Sequence, residues 1–203
     1  MQYVIFHGSF GSASGNWFPY LKQELITKGH KVLVPQFPTE SYSEATANLT
    51  KDPNYKLEKF NLANWIKYFE KEVLPVLGSE DTVFIGHSLG PLTILHILST
   101  FEIKLKAAYF IAPFFDLPES DPAYDQAIAN FNARNLDFAK IKEKIVRSYV
   151  IYSDNDPYVA IEKSLEFANK LGAEPLLMKG KAHFNSETRL IKFPELLELL
   201  GKI

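Results

Sequence analysis

The chain has 203 residues, 46% hydrophobic and 23% charged, a balance that fits a single globular domain over residues 1–203 with a sizeable core. A formal net charge of −2 supplies no basic field for a phosphate backbone or an anionic lipid surface, so the expected partner is a small-molecule substrate, with no nucleic acid and no membrane. The absence of cysteine excludes disulfides, thiolate catalysis, iron–sulfur clusters and cysteine zinc sites.

The first ten residues carry no basic stretch, and their one apolar run, residues 3–6, is too short for a signal peptide. No later run approaches the roughly 18 apolar residues of a membrane span. A cytoplasmic protein is the expectation.

In chain order, the run at 3–6 (YVIF) predicts a strand that ends at His7 and Gly8. Trp17, Leu21 and Leu25 form a helical stripe stopped by Gly29, and 32–34 (VLV) predicts a strand ended by Pro35. Residues 37–59 are polar and broken by Pro38 and Pro53, which predicts a long loop or a partly helical excursion. Leu62, Trp65, Ile66, Phe69 and Val73 then fall on one helix face, behind an Asn61 cap and before Pro75.

A third strand is predicted at 82–85 (TVFI), a helix over 92–98, a fourth strand at 107–111 (AAYFI) and a second excursion over 114–135. The carboxyl third continues with a strand at 149–152, a stripe of Ile161, Leu165, Ala168 and Leu171 stopped by Gly172, and a strand at 175–178. A final helix opens at Pro194 with Leu196, Leu197 and Leu200 inward. The strand runs are continuous rather than alternating, as strands covered on both faces are. Their alternation with helices predicts right-handed crossovers and a largely parallel sheet, with the two excursions at its carboxyl edge.

The stretch Gly86-His87-Ser88-Leu89-Gly90 has the pattern G-x-S-x-G between a predicted strand and a predicted helix. A turn that sharp strains the serine, and side chains at 86 or 90 would strike the adjoining helix and strand. Ser88 is therefore the candidate nucleophile; the alternative is a Gly-rich turn with an incidental serine. Pro91 is tolerated because first-turn amides have no intrahelical acceptor, and the Leu89 amide stays free to face a developing oxyanion.

A serine needs a base. Of five histidines, His7, His30, His87 and His96 fall in turns, a loop or a helix, whereas His183 in KAHF follows the last predicted strand at the carboxyl edge. The acid is expected between Ser88 and His183 in the chain. Asp156 in SDNDPYV is preferred, with Asp154, suited to bonding its own turn, and Asp116, after the fourth strand, as alternatives. A second oxyanion amide is expected from Ser9 or Phe10, in the loop after the first strand.

That loop lacks G-x-G-x-x-G and the chain lacks G-x-x-x-x-G-K-[ST], so phosphate cradling is not indicated, and no metal-ligand spacing such as H-E-x-x-H occurs. Phe10, Trp17, Phe114, Phe115 and Tyr158 fall in loops expected near the site. They are candidates to bind an apolar substrate group, or else ordinary core and loop aromatics.

Taken together, FHGSFGSASGNWFPYL, GHSLG, SDNDPYV and KAHF resemble the α/β-hydrolase superfamily, and within it the small serine hydrolases of the YdeN and retinoblastoma-binding-protein type. The resemblance extends over nearly the whole chain, including a helix over 138–148 that leads into the fifth strand. It implies a compact α/β-hydrolase fold without a cap domain, with six mostly parallel strands in the order 2-1-3-4-5-6 and helices on both faces. It also implies a triad of Ser88, Asp156 and His183 that hydrolyses a small carboxylic ester, or an amide or thioester, without a cofactor. The family name raises a second function, a binding or regulatory protein with little hydrolytic activity. The Leu-x-Cys-x-Glu signature tied to retinoblastoma-type partners cannot occur in a chain without cysteine.

Overall fold

The structure, a computed structural model, describes residues 1–78, 81–119 and 121–202. Its centre is a sheet of β1 Gln2–Phe6, β2 Lys31–Leu33, β3 Thr82–His87, β4 Leu105–Ile111, β5 Ile145–Tyr152 and β6 Glu174–Leu177. All neighbours are parallel, in the order β2-β1-β3-β4-β5-β6. Each of the six predicted apolar runs contributes one strand. The chain leaves β1 toward β2 on one side and returns to β3 on the other, so the carboxyl ends of β1 and β3 flank the switch point.

The helices are α1 Phe18–Thr27, α2 Tyr42–Lys51, α3 Leu62–Tyr68, α4 Gly90–Thr100, α5 Pro122–Ile128, α6 Phe138–Glu143, α7 Ile161–Leu171 and α8 Pro194–Leu200. The two-residue period of the strands divides the core between the faces of the sheet. Tyr3, Ile5, Val83, Ile85, Tyr109 and Ile111 meet Leu21 and Leu25 of α1 and Leu196 and Leu200 of α8. Val4, Phe6, Phe84, Phe110 and Val150 face the opposite way, against Trp65 of α3, Leu92 and Leu95 of α4, and Phe167 and Leu171 of α7. Burying each of these large side chains contributes about 1.5–3 kcal/mol. Among the described residues no helix is long and apolar enough to cross a membrane.

Two elements depart from the sequence expectations. The stripe from Leu62 to Val73 is not one α-helix: α3 stops at Tyr68 and winds on through a π turn, Phe69–Val73, and a 3-10 turn, Leu74–Val76. Pro75 has no N–H for the carbonyl four residues back, so α geometry cannot run through it. The helix expected over 138–148 ends at Glu143, because Ile145, Arg147 and Ser148 pair with Leu105, Ala107 and Ala108 of β4. The open ladder of β4 outweighs local helical preference there. Both excursions take the partly helical of the two expected forms: Ser41 accepts the Glu44 amide to start α2, and Asp121 accepts the Tyr124 amide to start α5.

Candidate active site

β3 delivers its last residue, His87, straight into Ser88, which holds φ +58°. A non-glycine residue in the left-handed region is strained, and such strain collects at functional turns. The turn closes because its flanks are bare. A Cβ on Gly90 would lie 2.6 Å from the Phe6 carbonyl oxygen, and one on Gly86 would lie 2.7 Å from Pro91 N. The crowding falls on backbone atoms that cannot swing away. Gly90→Ala should therefore destabilise the fold by about 3 kcal/mol, read as a lowered denaturant midpoint; an unchanged midpoint would contradict this packing.

The loop after β1 lies against the same turn, since a Cβ on Gly8 would come within 2.9 Å of Ser88 Cβ. Phe10 in that loop also has positive φ, +51°. Among the described residues, the amides of Ser9, Phe10 and Leu89 enter no hydrogen bond, which leaves three N–H groups beside Ser88.

The Ser88 hydroxyl donates to His183 Nε2 at 3.0 Å, and His183 Nδ1 donates to Asp156 Oδ2 at 2.8 Å. Asp156 Oδ1 accepts the amides of Tyr158 and Val159 at 2.9 and 3.1 Å, so the carboxylate is held by the turn after β5. With Nδ1–H committed to an acceptor-only carboxylate, Nε2 is the bare nitrogen and faces the serine. The other two acids are occupied elsewhere: Asp154 accepts the Gly180 amide at 2.8 Å, and Asp116 pairs with Arg134 and with Lys163.

The His183 loop is anchored from below. His87 Nε2–H donates to the His183 carbonyl at 2.7 Å, Trp17 Nε1–H donates to the Phe184 carbonyl at 2.9 Å, and Asn155 accepts the Ala182 amide at 2.8 Å. His87 and Trp17 thus serve as scaffolding for the histidine loop. The variable residue of a G-x-S-x-G motif carries no sequence signal for that role.

The aromatic candidates separate. Tyr158 stands edge-on to His183, ring centres 5.1 Å apart, and its hydroxyl donates to Glu187 at 2.8 Å. Phe10 lies beside the site in contact with Phe60, Tyr42 and Tyr124. Trp17, Phe114 and Phe115 are not at the opening. All three are buried, Trp17 beneath the histidine loop and Phe115 stacked on Phe167 at 4.5 Å. These residues sit in loops, but their rings turn inward to cover apolar surface, a direction that sequence position does not encode. Tyr124, which no motif indicated, places its hydroxyl 2.7 Å from Ser9 Oγ.

Two further histidines are buried under the site. Burial holds His87 down to about 3; its Nδ1 has no partner and could not place a second proton. Burial likewise takes His7 to about 4, against a smaller opposing effect of its bond to the Gly8 carbonyl. His7 Nε2 accepts the Phe37 amide at 3.1 Å, so this ring too is neutral. With both pKa values below 6.5, the unfolded chain binds more protons between about pH 6.5 and 4, and stability falls as pH drops through that window. The slope should reach about 1.4 kcal/mol per pH unit for each histidine. Urea unfolding from pH 7 to 5 should show it, and His87→Gln should remove about half; a flat profile would contradict buried neutral rings.

A six-stranded parallel sheet with helices on both faces, and a strained serine between its third strand and the following helix, define an α/β-hydrolase fold. The chain belongs to the serine hydrolase family, whose model matches residues 3–202. It is 24% identical over 199 residues to YdeN of Bacillus subtilis (strain 168), covering 98% of this chain and 94% of that protein. The crystal structure of the B. subtilis ydeN gene product superposes with a TM-score of 0.79 at 23% identity, over 99% of this chain and 97% of that one. Polyneuridine aldehyde esterase follows with a TM-score of 0.65 at 16% identity, covering 99% and 98% of the two chains. The Arabidopsis methylesterase MES16 has a TM-score of 0.64 at 14% identity and full coverage of both.

Proposed function

We propose that this serine hydrolase cleaves a small carboxylic ester through an acyl-enzyme on Ser88. The observation that carries the reading is the unbroken line from Asp156 through His183 to the hydroxyl of a strained serine. His183 Nε2 takes the Ser88 proton as Oγ adds to the ester carbonyl, and the same proton passes to the departing alkoxide. Asp156 keeps Nδ1 protonated and balances the transient imidazolium. The carbonyl oxygen, now negative, meets the amides of Leu89 and of Ser9 or Phe10. Water then repeats the sequence on the acyl-enzyme and frees the acid.

A small substrate suits a serine and a histidine that are each 7% exposed. Phe10 and Tyr158 are the apolar surfaces available to its acyl or alcohol group. Amides and thioesters are open to the same chemistry, and the structural likeness to polyneuridine aldehyde esterase and the methylesterase MES16 favours an ester. The test is turnover of p-nitrophenyl acetate and butyrate, alongside labelling by a fluorophosphonate. Both should succeed with the wild-type chain. Failure of both would replace this reading with that of a binding protein on a hydrolase fold.

A further inference from the structure

Tyr124 belongs to no motif, yet its hydroxyl meets the loop after β1 that lies against the Ser88 turn. It stands in the first turn of α5, where Asp121 accepts its amide at 2.8 Å and fixes that turn. Its ring approaches Phe10, with centres 6.5 Å apart. Its Oη lies 2.7 Å from Ser9 Oγ, and the Ser88 hydroxyl is near enough to bear on its ionisation. One phenol therefore stands beside both the serine turn and the loop that carries the free amides of Ser9 and Phe10.

Counting protons shows what the phenol can do. Ser88 donates its single proton to His183 Nε2, so toward the phenol it presents only lone pairs. Either hydroxyl of the Ser9–Tyr124 pair can be the donor, and with Ser9 donating the Tyr124 proton is free to turn toward an acceptor on Ser88. Burial raises Tyr124 to about 12, so that proton is present throughout the neutral range.

We propose that Tyr124 is a catalytic residue, its phenol O–H donating a hydrogen bond to the oxyanion of the tetrahedral intermediate on Ser88, beside the amides of Leu89 and the Ser9–Phe10 loop. The inference rests on the acyl-enzyme reading above. As Ser88 Oγ bonds to the carbonyl carbon, the π pair moves onto the carbonyl oxygen, which becomes the strongest acceptor within reach of the phenol. Tyr124 keeps its proton throughout. When the intermediate collapses, the pair returns to form the carbonyl, and the leaving group carries away the proton from His183. Because the charge exists only between ground states, the contribution belongs in kcat rather than in KM.

Tyr124→Phe retains the ring and deletes only the donor. It should lower kcat for p-nitrophenyl acetate by about 10²-fold, with KM within about twofold. Inhibition by a short alkyl boronic acid, which forms a tetrahedral adduct on Ser88, should weaken by the same factor, while competition by free acetate should not change. A purely structural tyrosine would not separate these two ligands. A second measurement needs no variant. In a crystal structure of wild-type protein phosphonylated on Ser88, Tyr124 Oη should lie within about 3 Å of the phosphonyl oxygen. Wild-type kcat and boronate affinity in Tyr124→Phe, or a phosphonyl oxygen turned away from Tyr124, would overturn the inference and leave the hydrolase reading intact. A wild-type chain that neither labels nor turns over would overturn both.

Discussion

Ser88→Ala should lower kcat for a short p-nitrophenyl ester by about 10⁶-fold and abolish fluorophosphonate labelling. Every step of the proposed reaction passes through Oγ: it forms and later releases the bond to carbon, and its proton is the first that His183 Nε2 removes. The free amides beside residue 88 persist in the variant and still polarise a bound ester, so a trace of water-driven hydrolysis remains. Stability should change little, since one hydrogen bond is lost, about 1 kcal/mol, and alanine tolerates φ +58° no worse than serine. Turnover above the trace level in this variant would remove Ser88 from the mechanism.

Asp156→Asn should cost about 10⁴-fold in kcat while leaving the loop in place. An asparagine oxygen can still accept the amides of Tyr158 and Val159, so the turn after β5 survives. Its amide group, however, offers N–H to His183 Nδ1 where the carboxylate offered a lone pair. The imidazole must then carry its proton on Nε2, the nitrogen that faces Ser88, and a protonated nitrogen cannot act as base. Substitution of the competing acids separates the roles: Asp154→Asn keeps an acceptor for the Gly180 amide and should leave kcat near wild type. Equal losses from Asp154→Asn and Asp156→Asn would contradict the assignment.

How far the site was legible follows from what each feature depends on. The strands were readable because a parallel sheet covered on both faces demands continuous apolar runs, and the turn at Ser88 because its tight backbone admits only glycine at 86 and 90. Chain order narrowed the acid to a few candidates, and the hydrogen bonds of the structure distinguish them: Asp154 ties a turn, Asp116 meets cations, and Asp156 meets His183. Tyr124 was invisible because it approaches Ser9 across 115 positions, through an excursion whose path no local pattern encodes. For Trp17, Phe114 and Phe115 the sequence leaves substrate contact and core both open, because a loop position does not reveal whether a ring points outward or covers the core; all three are buried. The end of α6 is not legible in the sequence, because the free ladder of β4 that captures residues 145–148 is a tertiary partner.

The account stands most directly on a covalent acyl group at Ser88. Rapid acid quench of the wild-type chain mixed with p-nitrophenyl acetate, followed by peptide mass spectrometry, should find one acetyl group on the peptide containing Ser88, appearing with a burst of p-nitrophenol. Ser88→Ala should show neither the burst nor the adduct. Turnover without any acetyl on Ser88, or an acetyl group carried by another residue, would contradict the account.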